Sequence, residues 1–240
     1  MNLVIDWGNT RIKAAFFDND VLLHQNSFST PDELTSFVEN KNIEAVLVSS
    51  VNGDSSALIG EFNPAKVVLL SSATPLPIRN LYATPKTLGA DRLAAACGAW
   101  AIYPDQTSLV IDLGSCINYE LVDEHGNYLG GVISPGVSMR FQAMHQFTAK
   151  LPTVQPSISA KLIGDSTETC MQSGVMNGIL AEIHGFIAKI SDKHPSCNLI
   201  TCGGDAHFFE DQINEVSFVP DLVLIGLNSI LSFNLKTSIN

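Results

Sequence analysis

An apolar run that ends in Asp-x-Gly occurs twice along the chain, at residues 3–8 and again at residues 109–114. Such a run is typical of a buried strand that delivers one carboxylate to a tight turn. Each copy opens one half of the chain, so the pattern predicts two similar domains, residues 1–105 and 106–240, that face each other across a cleft. Paired carboxylates at a cleft are well placed to hold cations beside a polyphosphate.

The pattern that follows each copy is also similar. The first half predicts strands over residues 3–6, 12–17 and 21–25, a helix near Pro31 with Thr30 as its cap, and strands over 45–51 and 67–70. The second half predicts strands over residues 109–112, 117–123 and 128–133, a helix after Pro135-Gly136, and a strand over 198–202. This doubled order favours the α/β class, with two mixed-sheet halves around a nucleotide cleft in a duplicated actin-like (ribonuclease H-like) ATPase fold.

Two further helices are predicted, over residues 91–103 and 168–190. The second contains Gly174, Gly178 and Gly185, and each glycine costs roughly 1 kcal/mol relative to alanine inside a helix. Close packing against another helix would explain the three glycines. That helix could belong to a second subunit of a dimer or to this same chain, and the sequence leaves both open.

Composition narrows the possible partners and surroundings. The chain has 24 acidic against 13 basic residues and no Lys/Arg cluster, so it is not expected to bind nucleic acid. Its five cysteines form no CxxC pair, which argues against zinc and fits a reducing cytosol. Neither a signal peptide nor an apolar run of membrane-spanning length is visible, so we expect a cytoplasmic protein with no membrane association.

The first Asp-x-Gly copy continues into the most specific local signal in the chain. Gly8 allows a ligand to approach the backbone, while Asn9 and Thr10 offer donors to phosphate oxygens. Asp6 can bind a metal ion, and Lys13 supplies a compact cation. The octet therefore predicts a phosphate-binding loop made of Asp6, Trp7, Gly8, Asn9, Thr10, Arg11, Ile12 and Lys13.

A second candidate site follows Tyr82 in the sequence Gly89-Ala90-Asp91-Arg92. Asp91 stands at the predicted start of a helix, where a carboxylate often caps free amides. Arg92 follows at once, and a guanidinium binds a substrate anion in a bidentate manner. An acid and a base side by side after a glycine fit a substrate site better than a cap alone.

The second Asp-x-Gly copy supplies Asp112 and the hydroxyl of Ser115, and a turn stabilised only by packing is the alternative reading. Glycines also cluster at 130–131, in Pro135-Gly136 and at 203–204, and these segments could line the same cleft or form plain turns. Thr167, just before the long helix, is by residue type more often a cap than a ligand.

Five motifs, taken in their order along the chain, closely resemble those of the type III pantothenate kinase family, and the resemblance covers the whole chain. The motifs are Asp-x-Gly-Asn-Thr-x-x-Lys, Gly-x-Asp-Arg, Asp-x-Gly-Ser, Gly-Gly-x-x-x-Pro-Gly and Gly-Gly-Asp-Ala. The resemblance implies a cytoplasmic homodimer that phosphorylates pantothenate with ATP, the first step of coenzyme A synthesis. It implies that residues 6–13 bind the ATP phosphates and Mg²⁺, with Asp6 as the Mg²⁺ ligand.

The resemblance also assigns the remaining roles. Asp91 stands at the motif position that resembles the family's general base, which takes the proton of the pantothenate hydroxyl. Asp112 is similar to the ligand of the monovalent cation, K⁺ or NH₄⁺, that the family requires, and Ser115 stands where the family has a threonine that contacts ATP. The resemblance places pantothenate against Tyr82, Gly89, Ala90, Asp91, Arg92 and Thr167, with Thr167 reaching the site across the dimer.

The second loop departs from the family pattern at Ser115, Cys116, Asn118 and Glu120, and Cys202 replaces a threonine before the final Gly-Gly. These changes motivate one rival hypothesis, a non-catalytic relative that binds ligand and regulates a partner. A second rival is an actin-superfamily kinase that acts on a different small alcohol, such as a sugar. The intact Asp6, Asp91 and Arg92 argue against the first rival, and the Gly-x-Asp-Arg block and the short chain argue against the second.

Overall fold

The computed structural model describes residues 1–8, 11–50 and 66–237. The chain forms two compact units. Unit 1 comprises Met1–Asp105, Val122–Leu129 and Asp221–Asn240, and unit 2 comprises Gln106–Leu121 and Gly130–Pro220.

Unit 1 is built on a five-stranded mixed sheet with the order β3-β2-β1-β4-β5. The strands are β1 (Asn2–Trp7), β2 (Ile12–Asp18), β3 (Val21–Phe28), β4 (Ala45–Ser50) and β5 (Lys66–Leu69). β1 runs antiparallel to β2 and parallel to β4. The predicted strands are therefore present, although Val51, the last residue predicted for the fourth of them, lies outside the described residues.

Within its described residues, unit 1 contains the helices α1 (Pro31–Val38), α2 (Ala90–Ile102) and α5 (Leu222–Thr237). Thr30 caps α1 as predicted, because its side chain accepts a hydrogen bond from the amide of Glu33. The short strand β6 (Arg79–Asn80) pairs in parallel with Asn127 and Tyr128. α2 and α5 share one apolar core with β1, β2 and β4.

Unit 2 contains most of a second sheet, with the order β11-β10-β7-β8-β9. The strands are β7 (Ser108–Leu113), β8 (Cys116–Val122), β9 (Asn127–Pro135), β10 (Asn198–Cys202) and β11 (Ser217–Phe218). β10 runs parallel to both β7 and β11. The helices α3 (Val137–Gln146) and α4 (Thr167–Ser191) pack with this sheet around a separate apolar core.

The observed units differ from a division of the chain into residues 1–105 and 106–240. The first boundary coincides, but residues 122–129 and 221–240 belong with the N-terminal segment. Contact between α2 and α5 gives the physical reason: a Cβ atom on Gly226 would collide with the carbonyl of Ala94, so the two helix backbones touch. The last helix therefore completes unit 1.

Across the described ranges 1–8, 11–50 and 66–237, no helix is long and apolar enough to cross a membrane.

Candidate functional site

Asp6 and Lys13 face each other across the first hairpin. They are direct partners in the antiparallel pairing of β1 with β2, which puts their side chains on the same face of the sheet. Both side chains are partly buried. The hairpin thus presents a carboxylate and an ammonium side by side, a combination that can hold a metal ion and a phosphate together.

The turn between these strands closes through a hydrogen bond in which the amide of Gly8 donates to the carbonyl of Arg11, at 3.1 Å. Arg11 is exposed and precedes β2. Asn9 and Thr10, both predicted to contact phosphate, lie outside the described residues. Trp7 and Ile12 pair with each other across the strands and pack into the core beneath the turn.

Asp221 is a further acidic group beside this hairpin that the motifs did not identify. It lies immediately before α5, and its carbonyl accepts a hydrogen bond from the amide of Ile225, at 2.9 Å. Burial raises the pKa of Asp221, and the charge of Lys13 opposes part of that rise. An acidic residue before a long apolar segment is a helix-start signal, but only the fold brings it near Lys13.

The Gly89–Arg92 block forms the start of α2. Gly89 is the N-cap residue in extended backbone, no side chain caps the helix, and Asp91 occupies its second position. A Cβ atom on Gly89 would collide with the Asp91 carboxylate, which therefore lies against the glycine. The capping alternative for Asp91 is wrong, since its carboxylate does not bond the helix amides.

Arg92 and Tyr82 come together beside Asp91. The Arg92 guanidinium lies over the Tyr82 ring, 5.7 Å from its centroid, and Arg92 is only 7% exposed. A cation held over an aromatic face is attracted by the ring quadrupole. Tyr82 in turn packs on the fully buried Tyr128, with the ring centroids 6.2 Å apart. Unit 1 thus brings the predicted substrate residues Tyr82, Asp91 and Arg92 into one cluster.

In unit 2, Asp112 is the penultimate residue of β7, and Ser115 lies in the tight turn between β7 and β8. The amide of Gly114 donates to the carbonyl of Cys116, at 3.0 Å, and this bond closes the turn. Asp112 is partly buried and Ser115 is exposed. The end of β7 and the turn after it therefore present a carboxylate and a hydroxyl three positions apart in the sequence, a suitable pair for a cation and a phosphate.

Two glycines allow neighbouring loops to touch this turn. Gly203 has a φ of +93°, and a Cβ atom there would collide with the carbonyl of Leu113 and would lie 2.5 Å from Oδ1 of Asp112. A Cβ atom on Gly136 would collide with the carbonyl of Gly114 and would lie 2.6 Å from that of Ser115. Both predicted glycine turns are thus places of close backbone approach.

Asp205 follows Gly203 and also contacts the turn, because its amide donates to the carbonyl of Leu113, at 2.8 Å. Burial raises the pKa of its side chain, and the charge of His207 opposes part of the rise.

Thr167 belongs to unit 2 and is exposed at the first position of α4. The suggestion that it caps the helix is wrong, because Ser166 is the N-cap residue and forms a capping box with Thr169. In the described part of the chain, no group of three or more His, Cys, Asp or Glu side chains is arranged to hold a metal ion.

The family model for type III pantothenate kinase matches residues 2–189. A type III pantothenate kinase of Bacteroides fragilis is 41% identical over 239 residues, covering 98% of this chain and 98% of the relative. The chain belongs to the type III pantothenate kinase family. A type III pantothenate kinase of Christiangramia forsetii is 43% identical over 241 residues, covering 98% of this chain and 99% of its own.

Solved structures establish the fold. A Campylobacter jejuni protein described as a Baf family transcriptional activator superposes with a TM-score of 0.64 at 22% identity, covering 98% of this chain and 99% of its own. The ROK hexokinase of Thermus thermophilus superposes with a TM-score of 0.53 at 13% identity, covering 98% and 99%. The duplicated actin-like fold and the predicted family resemblance are both confirmed.

Four of the five departures from the type III pantothenate kinase pattern lie at buried or partly buried positions. Glu120 and Cys202 are buried, while Cys116 and Asn118 are partly buried. Ser115 is the exposed member and keeps a hydroxyl in the turn.

Proposed function

We propose that this chain transfers the γ-phosphoryl group of ATP to the primary hydroxyl of pantothenate and forms 4'-phosphopantothenate, the first step of coenzyme A biosynthesis. The observation that carries the proposal is the juxtaposition of Asp91, Arg92 and Tyr82 at the start of α2 in a chain of this family. Phosphoryl transfer depends mostly on positioning and charge neutralisation, and partly buried charges of both signs suit that task.

The ATP phosphates would bind at the first hairpin. Its predicted contacts are Asp6, Trp7, Gly8, Asn9, Thr10, Arg11, Ile12 and Lys13, with Ser115 from the second loop. Lys13 would neutralise phosphate charge, and Asp6 would hold Mg²⁺ directly or through water. Because Mg²⁺ usually keeps several waters and takes its other ligands from the nucleotide, one or two carboxylates are sufficient.

Pantothenate would bind at Tyr82, Gly89, Ala90, Asp91 and Arg92, with Thr167 as a further contact. Arg92, fixed over Tyr82, would pair with the pantothenate carboxylate. Asp91 would accept the proton of the hydroxyl as that oxygen attacks the γ-phosphorus. Its position against Gly89 supports this role, since the carboxylate is not engaged as a helix cap.

A monovalent cation, K⁺ or NH₄⁺, would bind at Asp112. Support comes from the turn geometry, in which the Asp112 carboxylate lies against Gly203 beside the carbonyl of Leu113. Carboxylate and carbonyl oxygens are suitable ligands for such an ion.

The active form would be a homodimer in the cytoplasm. The open surface of α4 supports a dimer contact, because a Cβ atom on Gly174, Gly178 or Gly185 would meet no atom of the described residues within 4 Å. The alternative of a close helix crossing within the described part of the chain therefore finds no support.

One assay separates the candidate functions. Purified protein with ATP and Mg²⁺ is given pantothenate or a panel of sugars, with and without K⁺, and ADP formation is followed. We expect ADP formation with pantothenate but with none of the sugars, and we expect K⁺ to stimulate it. Turnover with a sugar would favour the other kinase, and nucleotide binding without any turnover would favour a regulatory relative.

A further inference from the structure

A network of polar side chains in unit 2 links both helices to the strands of the second sheet. The Arg140 guanidinium on α3 forms an ion pair with Glu182 on α4, with Nη2 and Oε2 2.6 Å apart. The same Nη2 donates to the hydroxyl oxygen of Ser134 at 2.9 Å, and that hydroxyl donates to Glu182 Oε2, also at 2.9 Å. The Tyr119 hydroxyl donates to the other Glu182 oxygen at 3.1 Å.

The ion pair is partly shielded from water. The side chains of Arg140 and Glu182 are 21% and 22% exposed. Tyr119 is buried, and its ring packs on that of Phe186 in a tilted arrangement, with the centroids 4.7 Å apart. Charge-assisted hydrogen bonds in such surroundings are stronger and more directional than those on an open surface, so the network fixes the orientation of Arg140.

Arg140 also holds the backbone next to the second loop. Its Nε donates to the carbonyl of Pro135 at 2.8 Å. The next residue, Gly136, donates its amide to the carbonyl of Ser115 at 3.2 Å and lies against Gly114. A continuous chain of contacts thus runs from Glu182 through Arg140 and Pro135 to Ser115.

We propose that Arg140 is a positioning residue, which together with Glu182 fixes the Gly114–Ser115 backbone for the nucleotide. The inference rests on the proposed function only for the role of Ser115 in binding ATP. The guanidinium is suited to this task because Nε and Nη2 donate to Pro135 and Glu182 at the same time. A lysine could keep the charge beside Glu182, but its single nitrogen could not reproduce this planar pair of donors.

The test compares Arg140→Lys and Ser134→Ala with wild type in the intact protein. Arg140→Lys should raise the KM for ATP about tenfold, corresponding to about 1.4 kcal/mol. The KM for pantothenate should stay within about twofold, because the proposed pantothenate contacts other than Thr167 lie in unit 1 and keep their own supports. Ser134→Ala keeps the guanidinium and both of its main partners, so it should show the same selectivity for ATP with a smaller increase.

Lys161→Met provides the matched control. Lys161 pairs with Asp165 at 2.7 Å in the same unit, but both side chains are more than half exposed and neither contacts the second loop. This variant should leave both KM values unchanged. Unchanged kinetics in Arg140→Lys, an equal rise of both KM values, or a loss of thermal stability with normal KM values would each overturn the positioning role.

A binding readout keeps the inference independent of turnover. The affinity for a fluorescent trinitrophenyl-ATP analogue is measured by titration for wild type, Arg140→Lys and Lys161→Met. If wild type binds the analogue but does not phosphorylate pantothenate, the proposed function fails while the comparison of affinities still decides the role of Arg140. An affinity in Arg140→Lys equal to that of wild type would overturn it.

Discussion

Asp91 combines two properties at the scale of a single residue: it occupies the first turn of α2, and its carboxylate lies against Gly89 instead of capping the helix. Its neighbour Arg92 is fixed over Tyr82. The Asp91 carboxylate and the Arg92 guanidinium therefore have separate supports, which allows their roles to be tested separately.

Asp91→Asn should lower kcat by a factor on the order of 10²–10⁴, the usual contribution of a general base. The amide keeps the size and position of the side chain but cannot take the proton. Steady-state kinetics with ATP and pantothenate measure the effect, and Asp20→Asn in the exposed β2–β3 turn serves as the control. Near wild-type turnover in Asp91→Asn would remove Asp91 from the role of base.

Asp205 illustrates the stability cost of an acid near the second loop. Burial raises the pKa of this carboxyl in the folded state above its ordinary value, so ionisation is less favourable in the folded than in the unfolded protein. Its ionised form therefore opposes folding at pH values above the folded pKa, and protonation at low pH removes the penalty.

Asp205→Asn should accordingly raise the melting temperature at pH 7. Its advantage over wild type should shrink as the pH falls through the raised pKa and disappear below the ordinary pKa of aspartic acid, where both forms of residue 205 are neutral. Thermal melts followed by circular dichroism between pH 7 and pH 3 measure this difference. The same advantage at every pH would contradict the assignment of the penalty to the charge.

The helices and strands themselves were largely predictable from the sequence, for reasons visible in particular elements. β1 and β7 are short apolar runs bounded by Asp-x-Gly, and α1 carries a Thr-Pro start with acids in its first turn. α5 gave no comparable signal, because Leu222–Leu227 is almost continuously apolar and such a run fits a strand or a buried helix equally well.

The candidate site was predictable only where its residues are close in sequence. The Asp6–Lys13 pair follows from one hairpin, and the Asp91–Arg92 pair follows from one helix start. Asp221 comes close enough to Lys13 for their charges to interact, and Arg140 pairs with Glu182, only through the packing of distant elements. No local pattern encodes those contacts, since they depend on where a helix lies and not on how it forms.

α4 offers the element-scale test of the dimer. Gly178→Leu adds a large side chain to the open face of this helix, which should disrupt a close contact with a second copy and shift the mass measured by light scattering towards the monomer. Ser36→Leu on the exposed face of α1 is the control, because it adds a similar apolar side chain in unit 1. A dimer that survives Gly178→Leu unchanged would count against this face as the contact.

On the scale of the whole molecule, the chain leaves unit 1 after Asp105 and returns to it with α5. Leu227 is fully buried in the core that α5 shares with Val4 and Leu93. The final helix therefore contributes to the stability of the unit that carries Asp6 and Asp91. This arrangement predicts that damage to the C-terminal helix weakens the N-terminal sheet.

Leu227→Ala should destabilise unit 1 by about 2–5 kcal/mol, the usual cost of removing a buried leucine side chain. Hydrogen exchange in the full chain locates the effect, because local protection reports the stability of each cooperative unit. Faster exchange is expected in β1 and α2, with a smaller change in β7 and α4. Leu162→Ala is the control, since that side chain is 77% exposed and its loss should change stability by less than about 0.5 kcal/mol. If Leu227→Ala instead accelerates exchange mainly within residues 106–220, α5 belongs energetically with the C-terminal half, as a division at residue 105 predicts.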